Sequence, residues 1–236
     1  MVRAATARNA HPAKDHFPVL AICLGFEAMS VALSGNASLL SRYDAEDGAA
    51  PLFFTAAARG SSFFGSMPAT VLDDLETKPY ARESHTWGVS LEALTAEPGL
   101  RDAVDVLSLS ADPEGRVYVS SYEHRTLPFA AVQWHPEKNA FEWGDKLHIP
   151  HTDGALAVTH AVARWLSRHA RASAAAPRDV LEEDDALIYN HPAAFTGRHE
   201  NVGDRPWLDQ AYVLPPWVDW DADHPPRRGE RVAVAR

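Results

Sequence analysis

The stretch Phe17-Pro-Val-Leu-Ala-Ile-Cys-Leu-Gly-Phe26 constrains the fold more than any other segment. Its apolar run at 17–22 lacks the alternation of a half-exposed strand, so it reads as a strand covered on both faces. Cys23, Leu24 and Gly25 leave room only for a tight turn before Phe26–Leu33, which reads as a helix ending at Gly35 and Asn36. A buried strand running straight into a helix predicts an α/β layer architecture.

Further along, Leu52–Thr55 is a short candidate strand between loop segments, and residues 41–51 read as loop. Ser66-Met-Pro-Ala marks a helix start, with Ser66 as cap and Pro68 in the first turn. In Glu83-Ser-His-Thr-Trp-Gly-Val-Ser90, an extended backbone puts His85, Trp87 and Val89 on one side. Val104–Ser110 and Arg116–Tyr122 form a hairpin pattern around Pro113 and Gly115. Phe129–Trp134 is a second compact apolar run. A helix follows over 153–170, with Asp153 as cap and Val158, Val162, Trp165 and Leu166 sharing a face.

Composition removes several function classes. The net charge of -10 disfavours a polyanionic partner, and no basic-aromatic array offsets it, so nucleic acid is not expected. No apolar stretch reaches the eighteen or so residues that span a bilayer, so no membrane partner is expected. One cysteine excludes an internal disulfide and a thiolate-cluster metal site.

That cysteine is the first chemical candidate. A nucleophile attacking a carbonyl must project from a constrained backbone with N–H groups nearby, and a turn after a buried strand provides both. Cys23 would stand at the tip, with the Leu24 N–H facing the developing oxyanion and Gly25 relieving crowding. The following helix start would favour the thiolate. The bland alternative is an inert thiol filling the core. The second candidate is Val132-Gln-Trp-His-Pro-Glu-Lys138. His135 has the chemistry to take a thiol proton and return it to a leaving amine, and Glu137, two positions on, to orient the ring. Taken alone, the two also fit a surface hydrogen-bonded pair. Trp134 ends an apolar strand and reads as core; Trp143 is a candidate stacking surface.

On FPVLAICLGFEAMS, APLFFT, SHTWGVS, QWHPEKNAFEW and ALIYN with AAFTG, the chain resembles the γ-glutamyl hydrolase family, within the class I glutamine amidotransferase-like superfamily. Agreement runs from about residue 10 to 213. The resemblance implies a three-layer α/β/α sandwich with a mostly parallel central sheet. It implies a partial catalytic domain over 1–213; the Pro-rich tail, 214–236, has no helical or strand period and reads as poorly ordered unless it packs on the body. It implies Cys23 as nucleophile, His135 as base and acid, Glu137 as orienting carboxylate, Leu24 as oxyanion donor and His85 in the substrate cleft. For His85 a satisfied internal polar side chain is the alternative. The implied reaction is hydrolysis of folate poly-γ-glutamates through a thioester, with no metal or organic cofactor. The partner is a small-molecule substrate, a homodimer is allowed, and the implied setting is vacuolar, lysosomal or extracellular.

The chain departs from the family pattern at Phe53, where asparagine is usual, and at Ser61-Ser62, where Ser-Arg is usual. Both positions are expected to line the substrate pocket, and serine does not replace a bidentate arginine. Only about twenty residues precede Cys23. The family has a longer N-terminal portion that supplies further strands and a second oxyanion N–H, so an impaired hydrolase is expected. Two other functions share the kit: a glutaminase-type amidotransferase acting on glutamine, and a catalytically silent binding module.

Overall fold

The computed structural model describes residues 1–10, 16–144, 147–195 and 210–212. These fall into two compact units, 1–176 and 177–236.

The strands of the first unit are β1 (Val19–Ile22), β2 (Leu40–Ala50), β3 (Phe53–Phe54), β4 (Ala81–Val89), β5 (Val104–Ala111), β6 (Val117–His124) and β7 (Phe129–Val132). Its helices are α1 (Val2–Ala10), α2 (Leu24–Ser34), α3 (Ala69–Thr77), the short α4 (Leu91–Ala96) and α5 (Pro98–Arg101), α6 (Lys138–Phe141) and α7 (Asp153–Arg171). The main sheet has the order β1-β7-β6-β5-β3, and β2 with β4 forms a separate ribbon. The parallel pairing expected after a buried strand is the β1–β7 pair, in which Ile22 faces Val132. The β7–β6, β6–β5 and β5–β3 ladders are antiparallel, so the described sheet is mixed.

β7 shows why its sequence is small and uninterrupted. Phe129 and Ala131 point into one core, which holds Phe26 and Met29 of α2 and Ala5 of α1. Ala130 and Val132 point into the other, with Leu72 and Leu75 of α3 and Val158, Val162 and Trp165 of α7. All four β7 residues are buried, as a strand packed between two helical layers requires. The helices therefore cover both faces of the sheet, giving the α/β/α layering.

Three local expectations are corrected. Residues 40–50 are strand rather than loop, because Tyr43 and Ala45 alternate inward while the ribbon pairs with β4. The buried Arg82 pins that ribbon, donating to the carbonyls of Gly48 (2.9 Å) and Glu83 (2.7 Å) and pairing with Asp47 (2.6 Å). Pro68 itself precedes the first residue of α3, and Ser66 Oγ donates backward to Phe63 instead of capping. Thr152, not Asp153, caps α7, its hydroxyl accepting from the Ala155 N–H. The 104–124 hairpin forms as expected, with Gly115 at φ 80° in its turn.

The second unit contains α8 (Val180–Ala186), with Asp179 accepting from the Leu181 and Glu182 amides, and a ladder between β8 (Ala193–Phe195) and β9 (Gln210–Tyr212). The expected tail, 214–236, lies outside the described residues. Among the described residues no helix is long and apolar enough to cross a membrane.

Candidate active site

Cys23 is the residue between β1 and α2, and its backbone is unusual. At φ 52° and ψ -106° it is the only non-glycine residue at positive φ among the described residues. Such a conformation costs on the order of 1–3 kcal/mol and persists only where neighbours over-determine it. Here they do. The Cys23 N–H donates to Val132 O (2.8 Å), extending the β1–β7 ladder, while its carbonyl accepts from the Glu27 N–H (3.1 Å), opening the helix. Gly25 plays a smaller part than expected, since a Cβ there would meet Ala21 at an ordinary 3.5 Å.

His135 follows β7 by three residues, so both groups leave the sheet at the same end of adjacent parallel strands. Its Nδ1 lies 2.7 Å from Glu137 Oε1. A carboxylate only accepts, so Nδ1 carries a proton, and in the neutral ring Nε2 is then the acceptor. Glu137 is close enough for its charge to act on the Cys23 thiol.

The ribbon strand β4 joins the two candidates from above. The carbonyl of Arg82 accepts the His135 N–H at 2.8 Å, and the carbonyl of Ser84 accepts from Cys23 Sγ at 3.8 Å. Sequence reasoning missed this brace, because backbone carbonyls leave no mark on composition.

Burial, followed by the negative charges of Glu27, Glu137 and Glu83, pushes the Cys23 thiol up to about 11, against the Leu24 N–H hydrogen bond, which pulls it down. The expected preference for thiolate at the helix start is therefore outweighed. The thiol thus rests protonated. The Leu24 N–H stands at the sulfur, as an oxyanion donor would, and its side chain is exposed.

Glu27, one helical turn beyond Cys23, was not anticipated. Burial raises its carboxyl, opposed by the Gln133 hydrogen bond (3.3 Å) and the charge of His85. Gln133 itself was legible as a polar residue inside an apolar run.

His85 lies in the interior rather than lining a cleft. Its side chain is 1% exposed, with Nδ1 2.9 Å from Trp87 O and Nε2 3.0 Å from Glu83 Oε2. Tyr118 packs edge-on against the ring. The satisfied-polar alternative fits this placement. Trp134 is core, donating to Ser121 Oγ (3.0 Å). Trp143 is exposed and stacks flat on His151, ring centroids 3.8 Å apart.

The expected pocket positions do not gather at Cys23. Phe53 is exposed on β3, at the opposite edge of the sheet from β1. Ser62 accepts from Trp165 Nε1 and contacts His169. With Glu123 and Pro128 they line a cavity of about 470 Å³ at the start of β7, the end away from Cys23. Among the described residues no group of three or more His, Cys, Asp or Glu side chains is placed to hold a metal ion.

Comparison with known proteins places the chain among relatives of one superfamily. The chain is 37% identical over 194 residues to γ-glutamyl hydrolase 1 of Arabidopsis thaliana, covering 81% of this chain and 55% of that protein. It is 36% identical over 200 residues to γ-glutamyl hydrolase of Mus musculus, covering 85% and 61%. For the Homo sapiens γ-glutamyl hydrolase the figures are 34% over 184 residues, covering 78% and 57%. The chain thus spans somewhat over half the length of these relatives. Residues 3–149 match the glutamine amidotransferase class-I family, which takes in β1 through β7 and both candidate groups. The chain belongs to the class I glutamine amidotransferase family.

Proposed function

We propose that this chain hydrolyses the γ-glutamyl amide bonds of folate poly-γ-glutamates through Cys23, His135 and Glu137. The observation that supports this reading is the strained Cys23 turn at the same end of the paired strands as a histidine whose Nδ1 is held by a carboxylate. Similarity to proteins named γ-glutamyl hydrolase supports the choice of substrate.

The chemistry follows from the protonation states. His135 Nε2 takes the thiol proton as sulfur bonds to the amide carbon, and the carbonyl electron pair becomes an oxyanion facing the Leu24 N–H. Glu137 stabilises the imidazolium through Nδ1. Collapse breaks the C–N bond, and His135 delivers its proton to the departing amine of glutamate or a shorter glutamate chain. Water then attacks the thioester, giving its proton to His135. The C–S bond breaks and sulfur recovers that proton. The raised thiol makes proton transfer concerted with attack rather than a prior ionisation. The substrate is a small molecule, and a vacuolar, lysosomal or extracellular setting suits it.

The test is glutamate release from pteroylpenta-γ-glutamate by the 236-residue chain, with free glutamine as second substrate. Release from the pentaglutamate, lost in Cys23→Ala, is the expected result. Preference for glutamine would make the chain a glutaminase, and inertness of the folded chain toward both would overturn the catalytic reading.

A further inference from the structure

We propose that His85 is held as an imidazolium by Glu83, and that this buried pair is a positioning device for the cysteine site. The proposal extends the reading of Cys23 as nucleophile, though its first test does not depend on that reading.

The argument is one of donors and acceptors. Trp87 O is a carbonyl and only accepts, so His85 Nδ1, 2.9 Å away, must carry a proton. A neutral ring would then turn the Nε2 lone pair toward Glu83 Oε2 at 3.0 Å. Two acceptors at that separation, with both side chains at most 5% exposed, repel without water to intervene. One further proton therefore lies between them. On the ring that proton completes a charge-assisted hydrogen bond to Glu83 Oε2, so we place it on His85. Glu27 on α2 and Tyr118 on β6 lie close enough to feel the charges of this pair.

The pair acts on the site in two ways. Glu83 and His85 flank Ser84, so their bond fixes the β4 backbone whose carbonyl meets the Cys23 sulfur. The imidazolium also offsets one of the three carboxylates, Glu27, Glu83 and Glu137, that disfavour ionisation of the thiol.

Nitrogen-15 NMR of the imidazoles at pH 7, with the signal assigned by His85→Gln, tests the first part on the folded chain. Both His85 nitrogens protonated is the expected result, and an unprotonated Nε2 overturns the proposal. The second part is read by iodoacetamide alkylation of Cys23. His85→Gln leaves Glu83 uncompensated and slows alkylation at pH 8 by roughly tenfold, the size expected of one unscreened charge a few ångströms away. Adding Glu83→Gln removes that charge and restores the rate. A double variant as slow as the single one, with unchanged circular dichroism, would refute the charge-balancing role. Failure of hydrolysis with both results intact would count against the proposed substrate and not against the pair.

Discussion

Two histidine–glutamate pairs brace this site, each two positions apart in sequence, and they do opposite things. His135 and Glu137 are 15% and 45% exposed in their side chains, whereas His85 and Glu83 are 1% and 5% exposed. In the first pair, among the described residues, a hydrogen bond engages Nδ1 alone. In the second both nitrogens face acceptors, so the ring has no nitrogen with which to exchange one. The same two residue types thus give a half-exposed pair with one ring nitrogen held and an interior pair with both held. What differs is the partner of the second nitrogen.

The sharpest way to break that contrast is His135→Asn. Removing the proton carrier should cut turnover by about 10³–10⁴-fold with little change in KM, the upper range for a general acid–base group. Next comes stability. Glu83→Ala should lower unfolding free energy by about 3 kcal/mol, because a buried partner is lost, while Glu137→Ala should cost under about 1 kcal/mol. Equal losses by urea denaturation would dissolve the distinction. Glu137→Gln should slow turnover by roughly 10–100-fold, since the amide holds the ring less firmly and stabilises its charge poorly.

The backbone gives a smaller effect. Cys23→Gly should be more stable than Cys23→Ala by about 1 kcal/mol, because glycine accepts positive φ and alanine does not. The alkaline limb of stability offers the last test. The folded thiol keeps its proton to about 11, above its ordinary value near 9. Its contribution is therefore full below pH 9 and is lost as pH rises toward 11. Cys23→Ala should flatten that limb when denaturation midpoints at pH 8 and pH 10.5 are compared.

Much of this was legible in the chain. The unbroken apolar run before Cys23 forecast a strand covered on both faces, and the two-residue spacing of His135 and Glu137 forecast their hydrogen bond. The ribbon was not legible. Ser41-Arg-Tyr-Asp-Ala-Glu-Asp-Gly48 looks like loop because only Tyr43 and Ala45 turn inward, and the partner that makes it a strand lies about forty residues away. Nor did Glu83 announce itself, since a charged residue signals burial only once its partner is known. Ser62 sits at the end of the sheet away from Cys23, a place its own segment does not reveal because it depends on Trp165 and His169, about a hundred residues later.

β7 is paired on both sides and walled in on both faces, while β1 is paired with β7 alone among the described strands. Amides of Ala130 and Ala131 should accordingly be among the last to exchange with deuterium, and those of β1 earlier. His135 hangs from the strand paired on both sides and the Cys23 sulfur from its singly paired neighbour. Loosening of the site should thus begin on the sulfur's side.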